Sequence, residues 1–378
     1  MSNFKQPKIA IIADWLTNMG GAEMVILAFH EAFPDAPIYT SVYNPDKMPA
    51  FAGLDIRTTY LQRLPKFLRN LHKFFPMLRV HAFRKLDLSE FDIILSSSSA
   101  EAKQVRKTRP GQIHICYCHT PIRYYWSHYK EYKADPGFGK LNWLVRLAMP
   151  LLVPSLKRAD YKAAQEVDYF IGNSTTVRDR IEKYYNRKAE VIFPPVSTKR
   201  FSPSKQRGDY YVALSRHIPY KRLDLAIAAA NELNVSLRVF GTGSERAKLE
   251  AMAGPTVKFF EGSPDPNHQA EIEEAFTRGK GYIFPAEEDF GISPVEAMAG
   301  GTPVIAYGVG GARDIVTDGE TGVFFDKQTV EDVVGAIKRA ETLKFSPTIL
   351  NNRAKRFDKT LFVVKIKNFV QKSYEKSR

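Results

Sequence analysis

Short apolar runs rich in β-branched residues alternate along this chain with segments whose apolar positions recur at helical spacing. In the first half, residues 8–13, 91–95 and 113–118 read as strands and 22–33 as a helix, and 169–173 and 190–193 continue the strand series. The second half restarts the pattern, with strands over 210–214, 236–240, 257–260, 281–284 and 303–306 and a helix over 223–233. Strands alternating with helices predict an α/β chain with two doubly wound parallel sheets. Residues 198–208 are polar, contain Pro203 and Gly208 and lack an apolar period, so they read as the linker. The expected domains are therefore 1–203 and 204–356. A closing helix over 357–378, with Phe362, Ile366, Phe369 and Val370 at near-helical spacing, is expected to pack back on the first domain.

Composition agrees with two cores, since 378 residues at 44% hydrophobic exceed what one ordinary core organises. No run of about 18 apolar residues appears, and the apolar segment 9–13 is too early and too short for a signal peptide, so a cytoplasmic protein is expected. Cys116 and Cys118 are the only cysteines and share one face of a predicted strand, which fits a reducing compartment. Charge is lopsided: residues 1–205 hold 31 basic and 18 acidic side chains, residues 206–378 hold 24 and 23. Residues 57–85 carry eight Arg or Lys and no Asp or Glu, interleaved with Leu and Phe. Arg63, Lys66, Phe67, Arg69, Lys73 and Phe74 are the expected contacts with an anionic membrane, on the inner face of the plasma membrane. A solvated helix face is the bland reading of the same run. Nucleic acid is not expected, because no nucleic-acid module accompanies it.

In open parallel sheets, ligands lie beyond the carboxyl ends of the strands, so chemistry is sought there. Gly20 and Gly21 follow the first strand and open a helix, where bare backbone amides suit a phosphate or sugar, although tight-turn glycines explain them equally well. Residues 287–299 are more specific, with Glu288 and Glu296 bracketing seven residues between a strand and a helix. Ser293 as N-cap, Pro294 at the first helical position and Glu296 three after the cap would make a capping box. That box leaves Glu288, Gly291 and the acidic loop unexplained.

This segment resembles the Glu-x7-Glu motif of family-four, retaining glycosyltransferases of GT-B fold. The likeness runs over nearly the whole chain: the Gly20–Gly21 loop, residues 215–222 (Ser-Arg-His-Ile-Pro-Tyr-Lys-Arg), residues 240–244, residues 117–121 around His119, and Gly172-Asn173-Ser174. Among members, it is similar to bacterial GDP-mannose-dependent mannosyltransferases acting on lipid-linked acceptors, such as the phosphatidylinositol mannosyltransferases. The resemblance implies two Rossmann-like domains facing a central cleft, the first binding acceptor and the second binding nucleotide sugar. It makes Arg216 and Lys221 the diphosphate clamp and Glu296 the ribose ligand. Glu288 with Gly291, Ile292 and Ser293 would face the donor sugar and phosphates, Gly20, Gly21, Gly241 and Ser263 would complete the donor site, and His119 would sit beside the reacting sugar. Residues 262–265 depart from the family: Pro264 has no N–H where relatives contact the base, which leaves the base open between GDP and UDP.

The expected reaction is transfer of a hexose, mannose from GDP-mannose being favoured, with retention and same-face attack. No organic cofactor is implied. Metal independence is expected, because no Asp-x-Asp occurs and Cys116, Cys118 and His119 point alternately without a fourth ligand. An epimerase or phosphorylase of the same fold, and a non-enzymatic nucleotide- or RNA-binding protein, stay open as alternatives.

Overall fold

The computed structural model describes residues 7–71, 75–134, 139, 142–262 and 266–378. Its packing divides the chain into two compact units, Met1–Pro194 with Phe362–Arg378, and Pro195–Leu361.

The first unit is built on seven strands: β1 Ile9–Ala13, β2 Ile38–Thr40, β3 Ile56–Thr58, β4 Ile93–Ser98, β5 Ile113–Cys118, β6 Tyr169–Gly172 and β7 Ala189–Val191. They pair in parallel in the order β3-β2-β1-β4-β5-β6-β7. Every residue of β1, β4 and β5 is buried, as a strand covered on both faces requires. The polar residues among them are paired across the sheet: Ser96 Oγ lies 2.8 Å from His114 Nε2, and Ser97 Oγ 2.7 Å from His119 Nε2. Burial pushes His114 down to about 3, so its ring is neutral in the fold. Cys116 and Cys118 are free thiols in the core beside Phe170 and Tyr185, and burial pushes Cys116 up to about 12.

Helices α1 Gly21–Ala32, α2 Lys66–Asn70, α3 Pro76–Arg84, α4 Tyr129–Ala134, α5 Asn142–Glu166 and α6 Thr175–Tyr185 belong to this unit. On α1, Val25, Ile26, Phe29 and Ala32 recur at helical spacing and are buried. Phe29 meets Tyr117 edge-on at 5.8 Å and stacks on Phe362 at 5.9 Å. Phe362, Ile366 and Val370 come from the last helix of the chain and are 2%, 0% and 2% exposed in this core. Each such side chain contributes roughly 1.5–3 kcal/mol, enough together to hold that segment on the first unit.

The second unit carries β8 Tyr211–Leu214, β9 Leu237–Phe240, β10 Val257–Phe260, β11 Gly281–Phe284, β12 Val304–Tyr307 and β13 Gly322–Phe325, all parallel in the order β10-β9-β8-β11-β12-β13. Its helices are α7 Leu223–Leu233, α8 Arg246–Met252, α9 Pro266–Arg278, α10 Ile292–Ala299, α11 Ala312–Ile315, α12 Val330–Thr342 and α13 Pro347–Ala354. The last helix, α14 Lys359–Lys376, begins here and runs into the first unit's residues. Thr329 caps α12 by accepting the Asp332 amide, and Ile227 on α7 and Val333 and Ile337 on α12 are fully buried against the sheet. Strands β2, β3 and β13, and most helices, among them α5, α6, α9 and α12, go unpredicted by the sequence pattern. The strands are three or four residues long, too short to show a period, and α5 holds Pro150 and Pro154.

Candidate active site

Each sheet has one topological switch point, where successive strands leave in opposite directions and open a crevice at the carboxyl ends. In the first sheet it lies between β1 and β4, in the second between β8 and β11. The two are filled differently.

At the second, residues after β8 and β11 meet. Lys221, 8% exposed, forms an ion pair with Glu288. Its ammonium also lies 5.1 Å from the Tyr220 ring centre, and the Tyr220 hydroxyl accepts from exposed Arg216 at 2.9 Å. Tyr282 at the centre of β11 donates to the Leu214 carbonyl (3.0 Å) and lies 2.7 Å from Ser293 Oγ, tying the end of β8 to the first turn of α10. The Glu288 carbonyl accepts the Gly311 amide at 2.8 Å, which docks the acidic loop on the loop after β12.

Two glycines make this rim possible. Gly241, just after β9, has φ +125°, and a Cβ there would lie 1.9 Å from the Ser215 carbonyl oxygen, so only glycine lets the two loops touch. Gly291 precedes α10 with φ +101°, and no side chain caps that helix. The expected capping box is therefore not formed: α10 starts at Ile292, Ser293 lies inside its first turn and its hydroxyl is spent on Tyr282. Glu296, one turn further, is half-buried, and loss of solvent raises its carboxyl while Arg200 works the other way. An anion reaching this rim meets one cation from each end of residues 216–221 and a helix start with no side-chain cap.

The switch point of the first sheet is already occupied by the protein's own anion. Asp14, directly after β1 and 8% exposed, accepts the amides of Ser99 (2.7 Å), Ala100 (2.9 Å) and Ala102 (2.6 Å), and the Ser99 hydroxyl at 3.0 Å. Burial and the neighbouring Glu101 raise the Asp14 carboxyl against those amides. Glu101 itself pairs with Arg79 at 2.8 Å, both side chains being buried, and Lys103 pairs with Asp160 at 2.5 Å, again fully buried. Burial alone would depress both cations; the carboxylate beside each outweighs it and holds them above the ordinary range. His119, half-buried at the end of β5, hydrogen-bonds Ser97 and stands edge-on to Tyr117 at 5.3 Å.

The structure thus gathers Arg216, Lys221, Gly241, Glu288, Gly291, Ile292, Ser293 and Glu296 at the strand ends of the second unit. Gly20, Gly21 and His119 stand at strand ends of the first, where Gly20 precedes α1 without a side-chain cap. Ser263, Lys73 and Phe74 lie outside the described residues. The basic run splits: Arg63 and Lys66 are exposed and Phe67 is 65% exposed, while Arg79 is 1% exposed and Arg57 is paired with Asp55 and Glu90. Arg79 is therefore a core cation and not part of a cationic face. Sequence reasoning missed Asp14, Tyr282 and the two buried ion pairs. Asp14 follows the first strand directly, which was a usable signal, but its partners lie 85 to 88 residues away.

Two family models match the chain. That for "Glycosyl transferases group 1" matches residues 197–357, and that for "Glycosyltransferase Family 4" matches 19–200. The O-antigen chain mannosyltransferase RfbU of Salmonella typhimurium is 26% identical over 49% of this chain and 54% of its own length. The GDP-mannose-dependent alpha-(1-6)-phosphatidylinositol monomannoside mannosyltransferase of Mycolicibacterium smegmatis is 30% identical over 49% of this chain and 56% of its own. The chain thus spans about half the length of these relatives. The Anabaena protein HepE, solved in complex with UDP, is similar at a TM-score of 0.68 and 16% identity, covering 97% of this chain and all of that one, and shows the same fold. The chain belongs to the family-four glycosyltransferases of GT-B fold.

Proposed function

We propose that the chain transfers a hexose from a nucleoside diphosphate to a lipid-linked or membrane-associated glycan, with GDP-mannose as the favoured donor. The observation that carries this reading is the Lys221–Glu288 pair at the second switch point, beside a helix start with no side-chain cap. A diphosphate arriving there replaces Glu288 as the anion facing Lys221, with Arg216 across the loop. As the bond from the anomeric carbon to the phosphate oxygen breaks, charge builds on the leaving diphosphate. Fixed cations and amides stabilise that charge more than they stabilise the ground state. Glu296 holds the ribose and Glu288 the sugar hydroxyls. The acceptor oxygen attacks from the face the diphosphate leaves, its proton passing to the departing phosphate oxygen, so the configuration is retained. The first unit, in which His119 hydrogen-bonds Ser97, holds the acceptor.

Mannose and GDP are favoured by the names of the two mannosyltransferase relatives, and a UDP-sugar is the second reading, favoured by the UDP complex of HepE. A membrane-bound acceptor fits the exposed Arg63, Lys66 and Phe67 and half-buried Arg69. No described helix is long and apolar enough to cross a membrane. The test is incubation with radiolabelled GDP-mannose or UDP-glucose and a lipid extract. Label entering the lipid fraction from GDP-mannose is expected; label from UDP-glucose alone selects the second reading. Turnover without acceptor points to an epimerase or phosphorylase, and no turnover of either donor overturns the proposal.

A further inference from the structure

Helix α5 exposes what a helix folded onto a domain ordinarily buries. Trp143 is 62% exposed, Leu144 51%, Leu147 65% and Leu151 80%. Successive positions on a helix turn by about 100°, which puts these four on one face within about 100° of arc. The opposite face, carried on by Val153, Leu156, Asp160 and Ala163, is buried in the unit. The exposed face is edged with positive charge. Lys130, Lys133 and Arg146 line an open basin of about 470 Å³ at its start, and no Asp or Glu occurs between residues 136 and 159, which hold Lys140, Arg146, Lys157 and Arg158.

A second patch of the same chemistry lies on α2 and α3. Phe67, Leu71, Phe75, Met77 and Leu78 are between 40% and 65% exposed. An apolar pocket of about 180 Å³ opens among Leu64, Leu68, Phe75 and Leu78, with Arg69 in its wall. These two patches are not independent. Helices α3 and α5 both pack on the turn Ala102–Gln104 after β4. Arg79 of α3 reaches Glu101 at 2.8 Å and Asp160 of α5 reaches Lys103 at 2.5 Å, so two buried ion pairs fasten them to neighbouring residues of one turn. Asp14 in turn holds the backbone of that turn through the Ala100 and Ala102 amides.

We infer that α2–α3 and the first half of α5 form a two-point contact with an anionic lipid bilayer, held in fixed register by the Arg79–Glu101 and Lys103–Asp160 pairs. Apolar side chains ringed by Lys and Arg are what an interfacial segment needs: the apolar groups enter the acyl boundary while the cations meet anionic headgroups. A nucleic acid would use the cations but leave Leu147 and Leu151 without a role, and a second copy of this chain would bring like charge against like. Two points fixed to one turn bind together, because engagement of the first raises the effective concentration of the second.

The inference extends the membrane-facing reading of the acceptor site above, and its test separates the two. The full chain is sedimented with vesicles of phosphatidylcholine alone or mixed with phosphatidylglycerol, as wild type, Leu147→Glu with Leu151→Glu, and Arg63→Glu with Lys66→Glu. All four positions are exposed, so folding is checked simply by melting temperature. The wild type is expected to bind the mixed vesicles, and each double variant to bind about tenfold more weakly or worse, with the shift in melting temperature produced by GDP or UDP unchanged. If the α5 variant binds as tightly as wild type, or if it instead turns a dimer into a monomer with vesicle binding intact, the two-point contact is wrong. Loss of the nucleotide shift in wild type would count against the transferase reading and leave this one standing.

Discussion

The two sheets share a plan but treat the crevice at their switch points in opposite ways. In the first, Asp14 turns inward and takes three backbone amides of the loop after β4, the groups an incoming phosphate would seek. In the second, the anion facing Lys221 is Glu288, one member of an ion pair at the rim, and the helix behind it starts without a cap. One crevice is closed by a carboxylate that is part of the scaffold; the other keeps a cation whose partner a ligand can replace. Fold alone does not say which sheet takes the diphosphate. Its assignment to the second, as proposed above, rests on the fate of one carboxylate in each.

The largest effect is expected at the closed crevice. Asp14→Ala leaves the Ser99, Ala100 and Ala102 amides without their acceptor, and at about 1–3 kcal/mol per buried unpaired group the loss should reach about 3–5 kcal/mol of stability after partial entry of water. Denaturant unfolding checks this, and nucleotide affinity measured at low temperature should hold. Next comes Lys221→Ala, expected to lower kcat/KM about 10²–10³-fold, the cost of removing one preorganised partner of a developing anion. Its unfolding midpoint should move less than that of Asp14→Ala, since the side chain of Glu288, the partner left behind, is 24% exposed and can be hydrated; a larger stability loss with normal kinetics would reverse the comparison. Gly241→Ala should cost about 1–3 kcal/mol and weaken donor binding, because a Cβ there meets the Ser215 carbonyl and the backbone is strained for any other residue.

Near neutral pH the smallest effect is that of His114, which lies away from both crevices, and it grows only as the solution is acidified. His114 is held neutral down to about 3 in the fold, against 6.5 unfolded. Above 6.5 neither state is protonated and nothing is lost. As pH falls below 6.5 the unfolded chain takes up a proton that the folded chain refuses, so stability drops by at most about 1.4 kcal/mol per pH unit until about pH 3. His114→Gln should flatten that stretch of a melting-temperature profile; an unchanged slope would place the acid sensitivity elsewhere.

Much of this was legible in the residues. The buried strands β1, β5, β8 and β11 show as apolar runs because parallel strands covered on both faces leave no room for alternation. The rim of the second sheet shows because its residues sit in contiguous loops, 215–222 and 287–296. What stayed hidden depends on long-range partners: Asp14 meets residues 85 to 88 positions away, and Lys103 meets Asp160. Arg79 looked like its neighbours Arg63 and Arg69 because composition does not tell a core cation from a surface one; only Glu101 does. The capping box failed because Tyr282, on the strand just before the helix, claims the Ser293 hydroxyl.

Calorimetric titration of GDP and UDP into the wild type, Lys221→Ala and Lys221→Arg tests the central claim most directly. One nucleotide should bind the wild type at a single site, about tenfold or more weakly to Lys221→Ala, with partial recovery in Lys221→Arg. Equal binding to all three would mean that the second switch point is not where the diphosphate is held.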